Sequence, residues 1–103
     1  MSERLQSLLE LYKKDPNDPF IAYGIALEYI SAMNYEEAEK ILSEIITKDP
    51  DYVPAYMQLA RVKENLYKIE EAKNTYKKGI EIAKKNNEMR TAGEMEDFLS
   101  ELE

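Results

Sequence analysis

Residues 34–42 read NYEEAEKIL, and 34 residues later residues 68–76 read KIEEAKNTY. Each segment has an aromatic or β-branched residue, then Glu-Glu-Ala, then a lysine. Glu, Ala and Lys are common in helices, so a match this short decides nothing unless the register holds outside it. The register does hold. Ala38 pairs with Ala72, Tyr35 with Ile69 and Leu42 with Tyr76; upstream, Ala22 pairs with Tyr56, Ile25 with Leu59 and Ala26 with Ala60. Small residues recur where two helices must approach closely, and large ones recur a turn away. The chain therefore reads as an array of helix pairs, which buries its apolar faces by stacking one unit on the next.

Proline sets the punctuation. Pro disfavours helix in the residue before it and suits the first helical position. "KKDP" accordingly ends one helix, and "NDPF" starts another with Asp18 as N-cap. "TKDPDY" repeats the pattern, ending a helix near Lys48 and offering Asp51 as the next cap. Asn34, followed three residues later by Glu37, has the form of a capping box. Between these marks the apolar spacing is helical: Leu5, Leu8, Leu9 and Tyr12 fall at i, i+3, i+4 and i+7, and no stretch alternates as a strand would. The spacing predicts six helices, over 3–14, 18–32, 35–48, 52–66, 69–85 and 88–102, joined by short connections into antiparallel hairpins.

At this point the chain resembles the tetratricopeptide repeat (TPR) family, whose unit is a helix–turn–helix with the pattern W-x2-L-G-x2-Y…A-x3-F…P. Repeat one, 19–52, carries Ile25-Ala26, Tyr29, Ala38, Leu42 and Pro50; repeat two, 53–86, carries Tyr56, Leu59-Ala60, Ala72 and Tyr76. Departures are specific. Ala22 replaces the first aromatic of repeat one, Lys63 replaces the Tyr of repeat two, and Lys84 replaces its closing Pro. The position late in the second helix that usually holds a small residue is Ile45 in one repeat and Gly79 in the other. Without that Pro, the helix from Ile69 is expected to outrun its counterpart. The resemblance implies an all-α solenoid with right-handed superhelical twist, in which 1–103 form a single domain. Residues 1–16 supply the second helix of a preceding unit, with Leu5, Leu8, Leu11, Tyr12 and Pro16 in place. Residues 87–103 stand where a further first helix would begin, with Gly93 and Glu94 where Leu and Gly are expected. Met89, Ala92, Met95, Phe98, Leu99 and Leu102 still form one apolar stripe, with Glu94, Asp97 and Glu101 turned away, as a capping helix requires.

Composition narrows the function classes. The 103 residues hold no Cys and no His, which removes the usual zinc ligands and the Cys- and His-based catalytic dyads and triads. The three glycines are scattered and form no phosphate loop. No enzyme, cofactor or metal site is expected. A net charge of −7 opposes nucleic-acid binding. Residues 1–86 hold fifteen acids and thirteen bases, whereas residues 87–103 hold six acids and only Arg90, so the acidity belongs to the last segment. No apolar run is long enough to span a bilayer, and "MSERLQSLLELYKK" lacks the apolar core of a signal peptide, so a cytoplasmic location without membrane association is expected.

In the TPR family the first helices of successive repeats line a concave groove that takes protein partners, as adaptors and scaffolds do. The positions so implied are Phe20, Tyr23, Leu27 and Ile30 on repeat one, and Pro54, Met57, Arg61 and Glu64 on repeat two, with Gln58 and Asn65 beside them. The helix from Phe20 to Ile30 is apolar nearly all round, with Glu28 its only charge. Such a helix is either buried on all sides or faces a partner, and both readings stay open. Arg61 and Glu64, three apart, suit a surface ion pair as well as a binding hot spot. Some family members clamp the C-terminal carboxylate of heat-shock chaperones with Lys, Asn and Arg. The matching positions are Tyr23, Leu27, Gln58, Glu88 and Ala92, which lack the cations. Lys73, Lys77, Lys78, Lys84 and Lys85 read as a solvated outer face. A protein-interaction module taking a peptide or helix of a partner is the expected function. The alternative is a structural module that self-associates into a homo-oligomer through its open repeat ends.

Overall fold

The computed structural model describes residues 2–103. Six helices follow one another: α1 (Glu3–Lys14), α2 (Pro19–Ser31), α3 (Tyr35–Lys48), α4 (Val53–Asn65), α5 (Ile69–Lys85) and α6 (Met89–Leu102), with no strand among the described residues. Each packs on its successor, giving an elongated stack of 39 × 28 × 20 Å.

The helix starts are built in two ways. Ser2 caps α1, its Oγ accepting the Leu5 N–H at 3.0 Å, and Asp18 caps α2 by accepting the Phe20 N–H at 2.9 Å, with Pro19 following. Asp51 does not cap α4. Tyr52 holds that position without a side-chain bond, while the Asp51 carboxylate lies 3.7 Å from Lys85 Nζ. Asn34 is the N-cap residue of α3, yet its side chain makes no cap bond and the capping box does not form.

The chain instead leaves α2 through a Schellman turn, in which the Asn34 N–H reaches the Tyr29 carbonyl at 2.8 Å and the Met33 N–H reaches that of Ile30 at 2.9 Å. The same two bonds recur after α4, from Lys68 to Lys63 and Tyr67 to Glu64, and after α5, from Glu88 to Ala83 and Asn87 to Lys84. Each turn needs one left-handed residue, and Met33, Tyr67 and Asn87 supply it with φ of 59°, 60° and 61°.

Two apolar clusters form the core. Ala22, Ala26, Ala38, Leu42, Ile45, Ala55, Leu59 and Val62 join α2, α3 and α4; Val53, Tyr56, Ala60, Tyr76, Ile82, Ala83, Ala92 and Met95 join α4, α5 and α6. α4 thus contributes to both clusters and welds the two repeats. Lys63 occupies the position that Tyr29 holds one repeat earlier, and its ammonium bridges Glu39 of α3 at 3.0 Å and Glu71 of α5 at 2.8 Å.

As expected from the missing proline, α5 has 17 residues against 14 in α3. The longer α5 displaces the start of α6. α4 begins at Val53 and α6 at Met89, 36 residues later rather than 34, so buried Ala92 and Met95 take the places of Tyr56 and Leu59. Gly93 and Glu94 therefore do not stand at the Leu and Gly positions, which is why the 34-residue register fails there.

Candidate functional site

The candidate surface lies on the three first helices, α2, α4 and α6. On α2, the Ala22, Ile25 and Ala26 side is buried, and the other side carries Phe20, Tyr23, Leu27 and Ile30. Phe20 is 74% exposed, whereas Tyr23, Leu27 and Ile30 are partly buried. Tyr23 and Ile30 pack against the first core cluster, so α2 is neither wholly enclosed nor wholly open. The Tyr23 ring meets that of Tyr52 at 5.6 Å between centroids, tilted by 59°. Burial raises the Tyr23 pKa, and a hydrogen bond with the Gln58 side chain on α4 opposes it. Tyr23 of α2 therefore stands beside Gln58 of α4.

Next along α4, Met57 is partly buried against the second cluster, and Arg61 is exposed. Arg61 and Glu64 do not form the ion pair that their spacing permits. The Arg61 guanidinium instead lies 5.1 Å from the centroid of the Phe98 ring on α6, a cation–π contact. Glu64 accepts a hydrogen bond from the Tyr76 hydroxyl, and the Tyr76 ring stacks on Phe98 with centroids 5.9 Å apart. Burial first, and the Glu64 carboxylate second, push the Tyr76 phenol well above its ordinary pKa. Asn65 Nδ2 turns back to the Arg61 carbonyl at 3.0 Å. Arg61, Glu64 and Asn65 join Phe98 and Glu101 around an open cavity of about 340 Å³ between α4 and α6.

Sequence reasoning missed Tyr52, Phe98 and Glu101 as members of this surface. Phe98 was legible only as part of an apolar stripe, and Glu101 only as the solvated side of the same helix. With α6 shifted by two residues, Pro54, Gln58, Arg61 and Asn65 of α4 correspond to Arg90, Glu94, Asp97 and Glu101 of α6. The chaperone-clamp positions assigned to Glu88 and Ala92 move to Arg90 and Glu94, one cation and one anion. Lys73, Lys77, Lys78, Lys84 and Lys85 of α5 form ion pairs with Glu70, Glu103, Glu81, Glu96 and Asp51 at 3.2–4.0 Å. Among the described residues, no group of His, Cys, Asp and Glu is placed to hold a metal ion, and no helix is long and apolar enough to cross a membrane.

Helix pairs repeating at 34 residues and stacked through shared apolar clusters define an α-solenoid repeat protein. The chain belongs to the tetratricopeptide repeat family, whose sequence model matches residues 29–93. A TPR-domain protein from Salinibacter ruber, solved by NMR, is 34% identical with a TM-score of 0.82, over 86% of this chain and 90% of that one. The TPR2B domain of yeast Sti1, in a complex labelled pHsp70, superposes with a TM-score of 0.90 at 21% identity, covering 95% of this chain and 78% of that one. The second TPR domain of human RPAP3, bound to the HSP70 peptide SGPTIEEVD, gives 0.78 at 22% identity, over 95% and 77%. Among curated proteins there is no match.

Proposed function

We propose that this chain is a protein-interaction module that takes a short peptide or helix of a partner along the groove formed by α2, α4 and α6. The observation that carries this reading is α2, which buries one face in the core and presents a second apolar face led by exposed Phe20. An apolar helix with a face left over is suited to a partner. Its continuation across Gln58 and Arg61 supplies the polar groups that fix register. The solved TPR domain of human RPAP3, similar in fold, holds an HSP70 peptide, which supports the same use here. The reading assigns the chain no reaction.

The test is to select ligands from a phage-displayed library of random peptides and map one by amide chemical shifts. Perturbations centred on Phe20, Leu27, Met57 and Arg61 are expected. Perturbations confined to α1, α3 and α5 would place binding elsewhere and end the groove reading. Self-association is the second reading, favoured by Leu11 of α1, which is 49% exposed. Light scattering that shows a concentration-independent monomer removes it.

A further inference from the structure

We infer that the groove is built for a peptide that combines apolar anchors with a cationic segment, the reverse in sign of an acidic tail; this rests on the groove reading above. The charge on the three helices is graded. α2 presents Phe20, Tyr23, Leu27 and Ile30, with no charge at these positions. α4 presents Arg61 and Glu64. α6 carries Arg90, Glu94, Asp97 and Glu101 at i, i+4, i+7 and i+11, so one side of that helix holds three carboxylates and one cation.

The acids of α6 divide into two sets. Glu96, and Glu103 just after the helix, pair with Lys84 and Lys77 of α5, whereas Glu94, Asp97 and Glu101 form no ion pair among the described residues. The unpaired set is the one that the shifted register places on the groove side. The cavity between α4 and α6 agrees, since its walls carry Arg61 against Glu64 and Glu101 and keep one net negative charge. Arg61 is committed to the Phe98 ring, and Glu64 is held by the Tyr76 hydroxyl. Glu101 is thus the carboxylate left to receive a cation.

A partner that lays apolar side chains on α2 and a lysine or arginine beside α6 satisfies both ends of this gradient. An acidic tail such as SGPTIEEVD, held by the RPAP3 domain, would meet like charge at α6. Complementary charge of this kind sets orientation and specificity, and salt screens it over about 10 Å at 0.1 M.

The test uses the full chain and the same random-peptide library, with selected peptides synthesised and titrated. Enriched sequences should place Lys or Arg next to apolar residues and lose affinity as salt rises. Asp97→Lys/Glu101→Lys, at exposed positions, should weaken them by about tenfold, equal to about 1.4 kcal/mol. Acidic or uncharged binders that need Phe20 and Leu27 but ignore the double reversal would overturn the cationic partner and leave the groove standing. Binders indifferent to both Phe20→Ala and Leu27→Asp, or no binders, would remove the groove and the inference together.

Discussion

A Cβ placed on Gly79 would lie 2.7 Å from the Tyr56 Cβ and 2.7 Å from the Met95 sulfur, so α4 and α6 close on α5 only because position 79 lacks a side chain. One repeat earlier the equivalents of Tyr56 and Gly79 are Ala22 and Ile45, both in the first apolar cluster. Repeat one thus places a small residue on its first helix and a large one on its second, and repeat two exchanges them. The two repeats fill the same junction with opposite choices.

Gly79→Ala should destabilise. Helix propensity favours the change by about 1 kcal/mol, whereas overpacking costs about 1–3 kcal/mol, and Tyr56 Cβ is tied to its backbone and cannot swing aside. A net loss of about 1 kcal/mol is expected. Gly93→Ala in α6, where an added Cβ meets nothing within 4 Å, should instead stabilise by about 0.5–1 kcal/mol. Urea midpoints moving in opposite directions are the required result.

Lys63 joins the two repeats through charge, at the position where repeat one carries Tyr29 packed on the first apolar cluster. Burial pushes the Glu39 pKa up, but hydrogen bonds from Lys68 and Lys63 outweigh it and hold the carboxyl below the ordinary 4.5. Burial likewise acts to lower the Lys63 pKa, and hydrogen bonds to Glu71 and Glu39 leave it above 10.5. The Glu39 contribution is present above pH 4.5 and is lost as pH falls through its depressed folded value. The Lys63 contribution is complete below pH 10.5 and is lost as pH rises through its raised one. Glu39→Gln should therefore lower stability by about 1 kcal/mol at pH 7 and flatten the acid limb of a pH–stability curve. An acid limb identical to wild type would remove this role.

Tyr67 is 89% exposed and holds the left-handed position after α4. A non-glycine residue there costs about 1–2 kcal/mol, partly offset in glycine by its larger loss of chain entropy. Tyr67→Gly should raise stability by about 0.5–1 kcal/mol, with little burial to lose. A lowered melting temperature would show that the Tyr67 ring makes a contribution of its own.

The helix start at Pro19 and the 34-residue register were legible because proline and the alternation of small and large residues act locally, whereas the start at Tyr35 was read from a capping box that does not form. The ends of α2 and α4 carried no glycine to mark them, because Met33 and Tyr67 adopt the left-handed turn at a steric cost. The predicted limits of α5 and α6, 69–85 and 88–102, fall within one residue of the observed ones, yet positions inside α6 were counted at a spacing of 34 and so came out two residues away from their true equivalents. On the candidate surface, the α2 positions could be counted from the register. The partners of Arg61 and Glu64 could not, because Phe98 and Tyr76 meet them only once three helices have stacked.

Leu27 separates the core and groove roles of α2. It is partly buried, between exposed Phe20 and buried Ala26. Full burial of a leucine is worth about 1.5–3 kcal/mol, so Leu27→Asp at this mostly covered site should cost about 2 kcal/mol and leave a cooperative melt. Binding should suffer far more, because an apolar partner would have to desolvate an unpaired carboxylate at the centre of the contact. Thermal melting comes first and peptide titration second. A folded variant that binds a selected peptide like wild type would falsify the groove assignment at this position. A collapsed transition would instead place Leu27 with Ala26 in the core and move the binding surface toward Phe20 and Arg61.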